Sequence, residues 1–95
     1  INSDIHDGGA GTDTIDWSAV GEVGAVFDLA AGTATDTSLD VEQMLSFENL
    51  IGTANADSII GTTGANSLSG GDGDDAINAG AGQDQVFGGD GNDTF

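Results

Sequence analysis

Five residues with oxygen-bearing side chains recur at intervals of nine in the second half of the chain: Asp57, Asn66, Asp75, Asp84 and Asp93. Each follows a stretch rich in small residues, and each stands two positions before a large apolar residue. Carboxylate, amide and main-chain carbonyl oxygens are hard ligands, and calcium takes roughly six to eight of them. The spacing therefore predicts calcium sites, provided that the fold brings successive turns together.

The charge of the chain also calls for a cation. Seventeen Asp and Glu face no Lys and no Arg, which gives 95 residues a formal charge of −17. Two carboxylates about 5 Å apart repel by roughly 3 kcal/mol at an effective dielectric near 20. The chain must therefore stay disordered or fold around ions taken from solution. Nucleic-acid binding and a polybasic membrane anchor are excluded because both need basic residues.

Two further classes are excluded by the residues that are missing. The chain has no Cys, so neither disulfides nor thiolate metal sites can stabilise it. No apolar run approaches 18 residues, so we expect no membrane insertion.

A nine-residue period organises the chain from Gly52 onward. The blocks read GTANADSII, GTTGANSLS, GGDGDDAIN, AGAGQDQVF and GGDGNDTF. Glycines at positions one, two and four favour a tight turn, and a three-residue strand with an inward eighth side chain then follows. The eighth positions are Ile59, Leu68, Ile77, Val86 and Phe95. Ile60 and Phe87 fall on the outward phase.

Two such blocks make one flattened coil with a turn on each edge. Coils of 18 residues would stack about 4.8 Å apart, which is the usual spacing of strands. Asp57, Asp75 and Asp93 would then share one edge, and Asn66 and Asp84 the other. This pattern predicts an all-β fold, a parallel β-roll or β-solenoid.

The blocks GGDGDDAIN at residues 70–78 and GGAGTDTID at residues 8–16 resemble the RTX calcium-binding nonapeptide, G-G-x-G-x-D-x-U-x. The resemblance implies a parallel β-roll with calcium held between like-sided turns of successive coils. It also implies that the sixth-position Asp is the side-chain ligand and that turn carbonyls complete the shell.

Carried onto this chain, the resemblance implies one best site, between the turns at residues 70–75 and 88–93, which keep every glycine. A weaker site would join residues 61–66 to 79–84, where Asn66 is neutral and Ala79 replaces a glycine. A third would join residues 52–57 to 70–75. The expected metal-binding residues are Asp75, Asp93, Asp57, Asp84, Asn66, Asp13, Gly70, Gly71, Asp72, Gly73, Gly88, Gly89, Asp90, Gly91, Gly80, Gly82, Gly9 and Gly11.

The first half breaks the period. We divide the chain into a first motif with its entry loop (1–16), an irregular β segment (17–51) and the nonapeptide roll (52–95), which we expect to continue beyond Phe95. Alternating apolar residues indicate extended segments at 23–32 and 43–52, with a loop at 36–41. We expect this segment to form a wider coil that covers the N-terminal end of the roll.

No catalytic motif is present: the chain lacks HExxH, GxSxG and a Cys nucleophile. Carboxylate pairs are so abundant that they indicate no particular reaction. We therefore expect a non-catalytic, secreted or cell-surface module that folds on binding Ca²⁺. It would be a unit of an adhesin, surface layer or filament, repeated end to end with copies of itself. The alternative is an accessory domain of a secreted enzyme such as a protease, lipase or alginate epimerase.

Overall fold

The computed structural model describes residues 5–18, 24–36 and 41–95, and every regular element within them is a β-strand. No helix in these residues could span a membrane. Most of the loop predicted at 36–41, and Val23 at the start of the first extended segment, lie outside the described residues. The strands are β1 (Ile5–Asp7), β2 (Thr14–Asp16), β3 (Ala25–Asp28), β4 (Thr33–Asp36), β5 (Val41–Leu45), β6 (Asn49–Ile51), β7 (Ser58–Ile60), β8 (Ser67–Ser69), β9 (Ala76–Asn78) and β10 (Gln85–Phe87).

The strands form two sheets that face each other across the roll. One sheet has the order β1-β5-β4-β3-β7-β9, and the other has the order β10-β8-β6-β2. In the nonapeptide half all pairing is parallel, and Leu50, Leu68 and Val86 lie side by side in register. Ile59 pairs with Ile77 in the opposite sheet. Each partner lies 18 residues further along the chain, which confirms the predicted parallel β-roll and its coil length.

The first half inserts a meander into this pattern. Strands β3, β4 and β5 pair antiparallel, while β3 lies parallel to β7 and β1 lies parallel to β5. After β3 the chain reverses in a turn that Asp28 closes, because its carbonyl accepts the amide of Gly32 and its side chain accepts the amide of Ala31. The predicted segment at 23–32 is therefore one strand followed by a turn. The segment at 43–52 is divided at Ser46, which has a φ of 64°.

The apolar core lies between the sheets. Phe27, Met44, Leu50, Ile59 and Leu68 are fully buried. The Trp17 and Phe27 rings meet edge to face with centroids 5.4 Å apart. Burial of such rings is the largest apolar contribution that a chain with so few aromatic residues can make.

The eighth-position residues follow the predicted inward phase with one exception. Ile59, Leu68 and Ile77 are buried and Val86 is partly buried, while Phe95 is 73 % exposed. Expecting Phe95 inside was wrong because only an isolated bridge between Ala76 and Thr94 ties its segment to the sheet. The outward phase is confirmed, since Ile60 and Phe87 are exposed.

Candidate metal centre

The turns that join the two sheets stack into two edges, and one edge holds a ladder of carboxylates. The amide of Asp75 donates to Oδ1 of Asp93 at 2.9 Å, and the amide of Asp57 donates to Oδ1 of Asp75 at 2.8 Å. The ladder ends at Ala25, whose amide donates to Oδ1 of Asp57 at 2.9 Å. Each sixth-position carboxylate therefore holds the turn of the coil before it.

The opposite edge carries a similar ladder with different side chains. The amide of Asn66 donates to Oδ1 of Asp84 at 2.8 Å. One coil earlier, the amide of Asp13 donates to Oε1 of Glu48 at 2.9 Å. Glu48 stands 18 residues before Asn66, so it takes the sixth position of its own coil. The sequence analysis did not select Glu48, although this offset was the signal that identifies it.

The turns fall into two groups by backbone conformation. In the turn at 70–75, Gly71 and Gly73 have φ angles of 88° and 98°, a region that side chains other than glycine rarely adopt. The second and fourth positions of the turns at 8–13, 79–84 and 88–93 share this conformation: they are Gly9, Gly11, Gly80, Gly82, Gly89 and Gly91. We call these four the glycine turns. The turns at 52–57 and 61–66 have Thr53 and Thr62 at the second position, and we call them the threonine turns.

Close stacking of the turns explains why glycine is required in the turns at 70–75, 79–84 and 88–93. The carbonyl oxygens of Gly71 and Gly73 lie so near Gly89 and Gly91 of the next coil that a Cβ at either position would overlap them. These oxygens are thus directed into the space between successive turns on the same edge. Main-chain carbonyls placed in this way are suitable ligands for a hard cation.

Asp75 has a buried oxygen that no protein group satisfies. Its side chain is 2 % exposed, and Oδ2 has no hydrogen-bond partner. The carboxylate lies against Gly70, where a Cβ would overlap Oδ2, and Asp93 lies against Gly88 in the same way. Oδ2 of Asp13 is also buried without a partner. A buried, unpaired carboxylate oxygen is strongly unfavourable unless a cation or proton neutralises it.

Burial, together with the negative charges of Asp57 and Asp93, raises the pKa of Asp75 from 3.8 to about 6, against the opposing hydrogen bond from the Asp57 amide. Burial also raises the pKa of Asp57, although hydrogen bonds from Thr53 and Ala25 oppose that shift. This edge therefore disfavours negative charge in the absence of a cation.

The donor set fits calcium. Across the described ranges, no three His, Cys, Asp or Glu side chains converge into a metal-binding cluster. A cation at this edge must accordingly combine one or two carboxylates with main-chain carbonyls. All of these ligands are oxygens, which suits calcium and does not suit metals that prefer nitrogen or sulfur.

Comparison with known families agrees with this chemistry. The model of the RTX calcium-binding nonapeptide repeat, which spans four copies of the repeat, matches residues 51–86 and 60–95. Residues 51–95 therefore belong to this repeat family, and that part of the chain is a calcium-binding module. The repeat is a structural element and not a catalytic one. No curated protein matches the chain.

Proposed function

We propose that the chain is a non-catalytic structural module of an extracellular or cell-surface protein, and that it becomes rigid when it binds Ca²⁺. The observation that carries the proposal is the buried Asp75 carboxylate, which belongs to a glycine turn and has an oxygen without a partner. With no Lys or Arg in the chain, the counter-charge must come from outside it.

The principal ion site is proposed between the turns at 70–75 and 88–93. Asp75 and Asp93 supply the carboxylates, and the turn carbonyls of Gly71 and Gly73 are directed toward the second turn. The bound ion supplies the positive charge that the edge lacks. Asp84, whose turn keeps Gly80 and Gly82, and Asp13, whose turn keeps Gly9 and Gly11, are proposed as further ligands. Asn66 and Asp57 are proposed as weaker contributors.

Coupling of binding to folding follows from the lengths of the strands. A three-residue strand gains little by itself against roughly 1–2 kcal/mol of backbone entropy per residue. A ligand that binds only the folded chain adds RT ln(1 + [L]/Kd), or about 1.4 kcal/mol per site at tenfold excess. Extracellular calcium modules have Kd values near 10⁻⁴–10⁻³ M. We infer that the module is ordered outside the cell and incompletely folded at cytosolic calcium levels.

RTX repeats typically occur in secreted proteins, which supports a location outside the cell. Phe87, which points outward from β10 and is 59 % exposed, supports contact with a neighbouring copy. We propose that neighbouring copies of the module stack end to end in an adhesin, surface layer or filament.

Circular dichroism tests the coupling of binding to folding. Titrating calcium into chelator-treated protein is expected to increase the β signal, with a midpoint between about 10⁻⁴ and 10⁻³ M. Magnesium is the matched control, because it demands a smaller octahedral shell and keeps its water, so we expect little change. A spectrum with equal β content in chelator and in millimolar calcium would contradict calcium-coupled folding.

A further inference from the structure

The two groups of turns differ in how the sixth-position side chain is satisfied. The side chain of Asp57, in a threonine turn, accepts three hydrogen bonds. They come from the amide of Ala25 in another coil, from the amide of Thr53 at 2.9 Å and from the Thr53 hydroxyl at 2.7 Å. Asp75, in a glycine turn, accepts the amide of Asp57 on Oδ1, while Oδ2 has no partner. Both side chains are buried. The threonine hydroxyl thus supplies to Asp57 a donor that Asp75 lacks.

The second threonine turn is closed in the same way. Oδ1 of Asn66 accepts the amide of Thr62 at 2.9 Å, and Nδ2 donates to the carbonyl of Glu48. Asn66 is 4 % exposed and carries no charge. A buried neutral amide with its hydrogen bonds made needs no counter-ion.

The backbone of the threonine turns is also unstrained. Between Ser46 and Gly71 no residue has a positive φ, whereas each glycine turn has two such residues. The threonine turns therefore avoid the entropic cost of fixing glycines in that conformation. Their geometry depends on hydrogen bonds within the chain.

Apolar burial and charge are unevenly distributed along the roll. Nine of the ten buried apolar residues in the described chain lie between Trp17 and Leu68, and the tenth is Ile77. Residues 1–69 contain 11 carboxylates, of which only Glu48 and Asp57 fall in residues 43–69, whereas the 26 residues from Gly70 to Phe95 contain six. The coils before Gly70 thus have most of the core, and the coils after it have the higher density of carboxylates.

We propose that the coils from Trp17 to Ser69, which contain both threonine turns, form a metal-independent seed. The coils from Gly70 onward, like the glycine turn at 8–13, need calcium to fold. The inference rests on the proposed calcium-coupled function, and it divides the chain into a part that folds without calcium and a part that folds only with it. The seed ends in β8 on one sheet and β7 on the other, and these strands are the template on which β9 and β10 pair. Calcium then extends a roll that already exists.

Trp17 is a natural reporter of the seed, since it is the only Trp in the chain and its ring contacts Phe27 in the core. In chelator we expect blue-shifted Trp17 emission and slow hydrogen exchange at residues 49–51 and 67–69. Residues 76–78 and 85–87 are expected to exchange rapidly in chelator and slowly in calcium. Trp17 that is solvent-exposed in chelator and buried only in calcium would overturn the seed while leaving the proposed function intact.

Substitutions at Thr53 separate the effect of the hydroxyl group on stability from the effect of the side chain's shape. Thr53→Val is expected to lower the folding equilibrium constant of the chelated protein about tenfold, because it removes one of the three hydrogen bonds to the buried Asp57 carboxylate. Thr53→Ser keeps the hydroxyl, so its folding equilibrium constant should fall much less. Thr63→Val, at an exposed turn position, is the control. Equal stability of Thr53→Val and wild type in chelator would overturn the proposal.

Equal protection of residues 76–87 from hydrogen exchange with and without calcium would overturn both this division of the chain and calcium-coupled folding.

Discussion

Asp75→Asn is expected to weaken calcium binding at least about tenfold, because it removes one carboxylate from the site and affinity depends on the number of charged ligands. The substitution keeps the size of the side chain and an Oδ1 that can accept the amide of Asp57. The ladder bond of 2.8 Å can therefore persist while the ligand charge is lost. Isothermal titration with calcium measures the change directly.

Asp74→Asn is the matched control for this prediction. Asp74 lies in the same turn and is exposed, so the control removes the same charge, and the Oδ1 that accepts the amide of Asn92 is retained. We expect its calcium affinity to stay within a few-fold of wild type, since exposed charges contribute little. An equal loss of affinity in both variants would show that the net charge of the turn matters and that the Asp75 ligand does not.

Asp75→Asn also tests how the stability of the calcium-free protein depends on pH. A carboxyl whose pKa is raised from 3.8 to about 6 in the folded state favours the protonated form. Without calcium, protonation of Asp75 stabilises the folded state fully below pH 3.8, and this stabilisation is lost as the pH rises through 6. Acidification of the calcium-free wild type from pH 7 to pH 4 should thus raise the free energy of unfolding by up to about 3 kcal/mol through Asp75. Asp75→Asn should lack this contribution. With calcium the dependence reverses below pH 6, because protons compete with the ion.

Phe27→Ala is expected to cost about 3–5 kcal/mol of unfolding free energy, which is a large fraction of what a domain of this size possesses. Phe27 is fully buried in β3, and its ring meets Trp17 at the middle of the core. The cavity would lie in the meander on which β7 pairs, so calcium binding should also require a higher ion concentration. Denaturant unfolding in saturating calcium, followed by Trp17 emission, gives the free energy.

The adjacent residue on the same strand provides the control. Val26 points outward and is 50 % exposed, so Val26→Ala should change the free energy by less than about 0.5 kcal/mol. Similar losses in the two variants would mean that β3 does not present one face to the core.

The nonapeptide half could be predicted from sequence because its signal is repeated. The recurrence of Ile59, Leu68 and Ile77 specifies the strand, the face that is buried and the 18-residue register together. One block alone would have been ambiguous, since a three-residue strand is too short to show a period. Repetition also predicted that Asp57, Asp75 and Asp93 are brought to one edge, where the structure places them.

The first half could be predicted only in part because it departs from the repeat. The reversal after β3 depends on local bonds to Asp28, and alternation of apolar residues does not show where a strand ends. Glu48 was missed because its turn is shorter and its side chain is longer than the Asp of the repeat. The role of Thr53 was missed as well, since the nonapeptide pattern has glycine at this position and does not indicate that a hydroxyl there donates to Asp57.

A crystal structure of the chain grown in millimolar calcium, with an anomalous-scattering map collected to locate the ions, is the most direct test. We predict a calcium peak between the turns at 70–75 and 88–93, in contact with the carboxylate of Asp75. A map in which calcium is absent from these two turns, while the turns keep the stacking described above, would contradict the account.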